Sequence, residues 1–126
     1  MKGTGMKTEE LQKIMNRQFD VCMNIMAGKS EEYTEGSEDK LEHFKAAAAL
    51  MGVTPEAALM GMLSKHLVSV ADMCMDQRGS AAYSQERWSE KITDSMNYLF
   101  LLKAIVEENR IMTWEEVEEA ARNEEI

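Results

Sequence analysis

From Thr8 onward apolar side chains recur every three to four residues: Leu11, Ile14/Met15, Gln18/Phe19, Cys22, Ile25/Met26. That spacing predicts a helix, with Gly28 as its C-cap. The stretch before it, residues 1–7, holds two glycines and no periodicity, so a flexible start is expected. Residues 29–39 (KSEEYTEGSED) are polar and aperiodic, which predicts a loop longer than the usual connection. A short helix is expected from Asp39 to about Leu50, with Leu41, Phe44 and Ala47/Ala48 inward and Gly52 ending it.

Thr54-Pro55-Glu56 is a strong helix start: threonine as N-cap, proline at the first helical position, an acid in the first turn. That helix is expected to reach about Met75. Residues 76–84 (DQRGSAAYS) read as a loop, and a long helix follows over about Gln85 to Asn109. Thr113-Trp114-Glu115-Glu116 then fits a capping box and opens an acidic helix within residues 110–126. The expected fold is all-α: one domain over 1–126, a compact bundle of about five helices.

Laid out at about 100° per residue, the 85–109 helix puts Trp88, Ile92, Met96, Leu99 and Val106 on one side, an expected core stripe. Glu90, Asp94 and Asn97 share the opposite side, which continues as Leu101, Ala104 and Ile105. A face acidic at one end and apolar at the other is expected to pack against something, leaving the acids at the mouth or floor of a cleft. On the 54–75 helix, Leu59, Leu63, Val70 and Cys74 form the main apolar stripe, bordered by His66. Lys65, Ser69 and Asp72 share another face with the small residues Ala58 and Gly61.

Composition narrows the classes. One proline and few aromatics argue against a β-sandwich. Twelve methionines suit adaptable cores or interfaces. The formal charge of −9 excludes a nucleic-acid backbone as the expected partner, since that calls for a basic face. Residues 107–126 carry eight acids and two arginines, a net −6, so the body is near −3. That leaves room for a small anionic ligand in a locally basic pocket. Cys22 and Cys74 form no CxxC and are expected as buried free thiols in a reducing compartment. No stretch has the apolar length of a membrane span or secretory signal, so a cytoplasmic chain is expected.

Two antiparallel helices, one offering Lys65/Ser69/Asp72 and the other Glu90/Asp94/Asn97, are suited to line one polar pocket. Asp72, Glu90 and Asp94 are the candidate ligands for Mg²⁺, which takes oxygen donors and shares them with substrate phosphates. Lys65 is the candidate phosphate contact. The purely structural alternative is a Lys65–Asp94 salt bridge with Asn97 completing the network. His66 is expected as a border-of-core residue, because zinc would want a second histidine nearby. Neither a nucleophile elbow nor a glycine-rich phosphate loop is present.

Taken in order, EEYTEGSEDKLEHFKAAAALMGVTPEAALMGMLSKHLVSVADM and then WSEKITDSMNYLFLL resemble a group of small phage and prophage proteins. These are related to the nucleotide-modification-associated and MazG-like all-α nucleotide pyrophosphohydrolases. The matching features are Lys29, Glu32 and Tyr33, then Phe44, the GVTPE start, Lys65 with His66, and the run Trp88, Glu90, Lys91, Asp94, Asn97, Tyr98. The resemblance covers roughly residues 17–106. It implies an oligomeric helical core that handles nucleoside phosphates, with Glu90 and Asp94 on the metal side. Lys65 and Lys29 would meet phosphate, and Tyr33 the base. The sequence departs from the MazG-type acidic pattern: EEYTE has the EExxE spacing but falls in the expected loop, and ExxD appears only as Ser69/Asp72 or the wider Glu90/Asp94.

Three readings stay open. One is an Mg²⁺-dependent nucleoside-phosphate pyrophosphohydrolase. Another is non-catalytic sequestration of a nucleotide, such as a signalling nucleotide in phage counter-defence. The last is a helical interaction protein without ligand. The expected site comprises Lys29, Glu32, Tyr33, Lys65, Ser69 and Asn97 for the nucleotide and Asp72, Glu90 and Asp94 for the metal. A homo-oligomer is expected in each reading.

Overall fold

The structure is a computed structural model that describes residues 5–34, 39–109 and 114–123; for helical positions 29–34, 114, 117 and 120 it describes backbone alone. Every regular element among the described residues is helical. In order they are α1 (Thr8–Thr34), α2 (Glu42–Met51), α3 (Pro55–Met75), a short 3-10 turn (Ser80–Ala82), α4 (Gln85–Glu108) and α5 (Trp114–Asn123). Residues 1–4 of the expected flexible start and Thr113 of the expected capping box lie outside the described residues.

The α1 boundary corrects the expectation of a Gly28 cap and a 29–39 loop. The backbone stays helical to Thr34. Lys and Glu are good helix formers without any buried face, and the cost of one glycine, about 1 kcal/mol against alanine, does not stop a helix of this length. At the other boundary Asp39 lies ahead of α2, where its Oδ1 accepts from the Leu41 amide at 2.9 Å.

Between α2 and α3 the chain turns by 100°. Gly52 ends α2 in the left-handed region at φ 71°, with its amide on the Ala48 and Ala49 carbonyls. Thr54 then caps α3, its Oγ1 accepting from the Ala57 amide at 3.2 Å, and Pro55 opens the helix. The expected punctuation is thus realised residue for residue.

Helix α4 is central. It runs antiparallel to α3, with Asn109 Nδ2 donating to Glu56 Oε2 at 3.1 Å near one end and His66 beside Asp94 further along. It also runs antiparallel to α1, where Gln18 meets Thr93 while Val21 and Ile25 lie beside Glu86 and Glu90. The core is Leu41, Phe44, Leu59, Leu63 and Ile105, with Met62, Tyr98, Leu101 and Leu102 packed against it. Burying one such side chain stabilises by about 1.5–3 kcal/mol. Lys45 ties α2 to the end of α4 by bridging Asp39 (2.7 Å) and Glu108 (2.9 Å).

The side of α4 expected to pack against something does so, whereas the expected core stripe is covered only in part, at the half-buried Trp88 and Met96. Ile92, Leu99 and Val106, assigned to the core, are exposed, whereas Thr93, Ser95, Asn97 and Ile105 are buried. The side carrying Asn97, Leu101 and Ile105 is the packed one. Small polar residues fit there because two helices press on α4 and the hydroxyls find partners: Thr93 receives Gln18, and Ser95 Oγ donates to the Lys91 carbonyl at 3.0 Å. Cys22 is buried as expected, but Cys74 is exposed; Met73 takes the inward position beside it. No single helix among the described residues is long and apolar enough to cross a membrane.

Candidate functional site

Thr93 stands on the seam between α1 and α4. A groove of about 300 Å³ opens on one side of it, lined by Val21 and Ile25 from α1 and by Glu86, Ser89, Glu90, Thr93 and Asp94 from α4. The three acids are spaced i, i+4, i+8, so successive turns present them along one line. Asp94, the innermost, is half-buried, and its Oδ2 lies 3.8 Å from His66 Nδ1 on α3. This is proximity rather than a hydrogen bond, and its strength depends on whether the imidazole is protonated. The His66 ring also lies 5.0 Å from the Tyr98 ring, which meets Phe44 edge-on at 6.5 Å. An aromatic chain therefore runs from the groove wall into the core.

A second pocket of about 140 Å³ opens across α1 from the first, lined by Cys22, Met23, Met26, Asn97 and Phe100. Asn97 is buried, and its Oδ1 has no hydrogen-bond partner. A buried unpaired acceptor costs about 1–3 kcal/mol, so it needs a donor from water, ligand or partner.

The sequence-expected site is brought together only in part. Glu90 and Asp94 share the groove between α1 and α4. Asn97 lies in the second pocket instead. Lys65 and Asp72 are exposed on α3, Ser69 is half-buried there, and none of the three lines the groove. The expected Lys65/Ser69/Asp72 wall is thus replaced by α1, and the residue beside Asp94 is His66 rather than Lys65. The side chains of Lys29, Glu32 and Tyr33 lie outside the described residues. Among the described residues no three His, Cys, Asp or Glu side chains converge to hold a metal ion.

No known protein family, curated protein or solved structure matches this chain.

Sequence reasoning missed Glu86 and Gln18. Glu86 was visible as one more i−4 step from Glu90. Gln18 was grouped with the apolar stripe and is the polar residue that registers α1 on α4. The 76–84 segment, expected as a plain loop, is ordered by Asp76. Its carboxylate accepts from Arg78 Nε (3.0 Å), Arg78 Nη2 (2.7 Å), the Arg78 amide (3.0 Å) and Tyr83 Oη (2.9 Å). The Arg78 guanidinium, followed by the Arg78 amide and the Tyr83 hydroxyl, holds the Asp76 carboxyl well below the usual carboxylate range. Sharing that carboxylate pushes the Tyr83 phenol up. Trp88 Nε1 donates to the Ser80 carbonyl at 2.8 Å and pins the turn to α4.

Proposed function

We propose that the chain binds a nucleoside phosphate, carried with Mg²⁺, in the groove between α1 and α4. The observation that carries this reading is the line Glu86, Glu90, Asp94 facing one groove on three turns of α4. Such a line repels a bare phosphate and attracts a cation. An anionic ligand therefore enters only with its own divalent ion. The chain by itself supplies too few converging donors for a cation cage among the described residues, so Mg²⁺ takes its remaining oxygens from phosphate and water, as this ion commonly does. Val21 and Ile25 offer the apolar wall for the uncharged part of the ligand. The backbone is helical through Thr34, so Glu31 and Glu32 stand on α1, which is compatible with the EExxE reading; Glu35 lies outside the described residues.

The test is isothermal titration with linear and cyclic nucleotides, with and without Mg²⁺, followed by mass analysis of the bound species. Binding that needs Mg²⁺ and weakens at least tenfold in Glu90→Gln and Asp94→Asn supports the reading. Ligand returned intact identifies sequestration; ligand returned cleaved identifies a pyrophosphohydrolase. Affinity for no nucleotide under either condition rejects the site.

A further inference from the structure

The pocket lined by Cys22, Met23, Met26, Asn97 and Phe100 has no charged side chain in its wall, so it offers nothing to a phosphate. Cys22 (1% exposed) and Asn97 (8%) form its floor, whereas Met23 and Phe100 are exposed at its mouth. The floor joins α1 to α4 one turn along both helices from the Gln18–Thr93 hydrogen bond. Asn97 Oδ1 is buried there without a hydrogen-bond partner. A leucine at this position would fill the floor and leave no acceptor behind, so the amide calls for a donor from outside the chain. Water is a poor source of it. A buried water makes about 3 hydrogen bonds, and the lining supplies one strong acceptor, a Cys22 thiol already taken by Gln18, and three apolar side chains.

We infer that this pocket binds a small neutral molecule of the phenol class, one aromatic ring bearing a single O–H or N–H donor. Size sets the first limit. The pocket holds about 140 Å³, whereas sites for drug-sized ligands run to about 300–1,000 Å³ and a cavity of about 150 Å³ takes one benzene. Nothing as large as a nucleoside fits, so the inference stands apart from the nucleotide reading. The lining sets the second limit. Two thioethers and the Phe100 ring favour an aromatic guest over an aliphatic one, through sulfur–ring contacts and edge-to-face packing. The lone acceptor then orients the ring, with its donor on Asn97 Oδ1 and its apolar edge toward the mouth. Apolar walls with a few placed polar groups are the usual make-up of a small-molecule site. Because the walls come from both α1 and α4, the guest bridges the two helices and stabilises their contact by mass action.

Phenol and toluene are the probes, alike in shape and different in the donor. In full-length protein carrying ¹³C-methyl methionine, phenol should move the Met23 and Met26 signals saturably. The exposed Met60 and Met75 of α3 should stay in place. Met23→Leu and Met26→Leu assign the two signals. Phenol should bind about tenfold more tightly than toluene, because only phenol pairs the buried acceptor. Asn97→Leu, with its fold checked by circular dichroism, should erase that preference. The wild-type titrations decide the matter without any substitution at Asn97: toluene binding as tightly as phenol overturns the inference. So does the absence of a saturable shift at Met23 and Met26, or a shift spread evenly over the twelve methionines. A preference for phenol that persists in Asn97→Leu overturns it as well.

Discussion

Gln18 Nε2 donates to Thr93 Oγ1 at 2.7 Å, joining residues 75 positions apart. Thr93 is 1% exposed, so this hydrogen bond sits at the centre of the α1–α4 contact. The same amide lies 3.4 Å from Cys22 Sγ, and together the three side chains set the register of the two helices.

Replacing Thr93 by valine keeps the shape and removes the acceptor. The half-buried Gln18 amide then keeps only its contact with Cys22 Sγ, and the loss should be about 0.5–1.5 kcal/mol in urea unfolding. Replacing both partners, Gln18→Leu with Thr93→Val, should recover most of that loss, since two apolar groups leave nothing unpaired. A double-mutant cycle measures the difference. Purely additive losses would show that the bond is incidental.

Leu59 is 0% exposed at the centre of the α2–α3–α4 core. Leu59→Ala should lower stability by about 2–5 kcal/mol through lost burial and the cavity left behind. Leu50→Ala, at an 89% exposed position, should change it by less than about 0.5 kcal/mol. Chemical denaturation of the two variants side by side decides whether the core is placed correctly.

The acid limb of stability should report on Asp76. Its folded carboxyl titrates below the unfolded value, near 3.9 in model peptides. The folded state therefore binds fewer protons than the unfolded chain in that range, and stability falls with falling pH. The contribution is complete above about pH 4 to 5 and is lost progressively below it as the folded carboxyl takes its proton. Trp88 fluorescence follows the event, because its indole is tied to Ser80 within the same turn. Asp76→Asn should flatten the acid limb while leaving the neutral spectrum in place. An unchanged limb would mean that other carboxylates control it.

Much of the fold is legible in the sequence where local chemistry decides. Thr54, Pro55 and Gly52 act through their own backbone, and they do what their types dictate. Phe44, Ala48, Leu59 and Leu63 follow from periodicity and are buried. Periodicity misled on α4 at Ile92, Leu99 and Val106, which are exposed, because it ranks side chains by hydropathy alone. Thr93 and Ser95 are inside because each finds a hydrogen-bond partner and takes little room between helices, neither of which hydropathy registers. It misled again after Gly28, where the helix continues with no apolar stripe to announce it. The site was legible to the extent that Glu90 and Asp94 share a helix face. Which helix stands opposite is a tertiary fact, and α1 rather than the Lys65 face of α3 holds that place.

Lys65 and Asp94 therefore separate two versions of the proposed site. Lys65 is exposed and does not line the groove. Lys65→Ala should leave nucleotide affinity within about twofold, a change of roughly 0.4 kcal/mol. Asp94→Asn should weaken it at least tenfold, about 1.4 kcal/mol. Equal losses in titration calorimetry would return Lys65 to the site.

The two thiols lie in opposite environments, Cys22 sealed on the side of α1 that meets α4 and Cys74 open near the end of α3. A thiol reagent should thus modify one position at once and the other only when α1 lifts from α4. The slow phase then clocks that opening in the unaltered protein. The fast one gives a single address for attaching a dye or spin label.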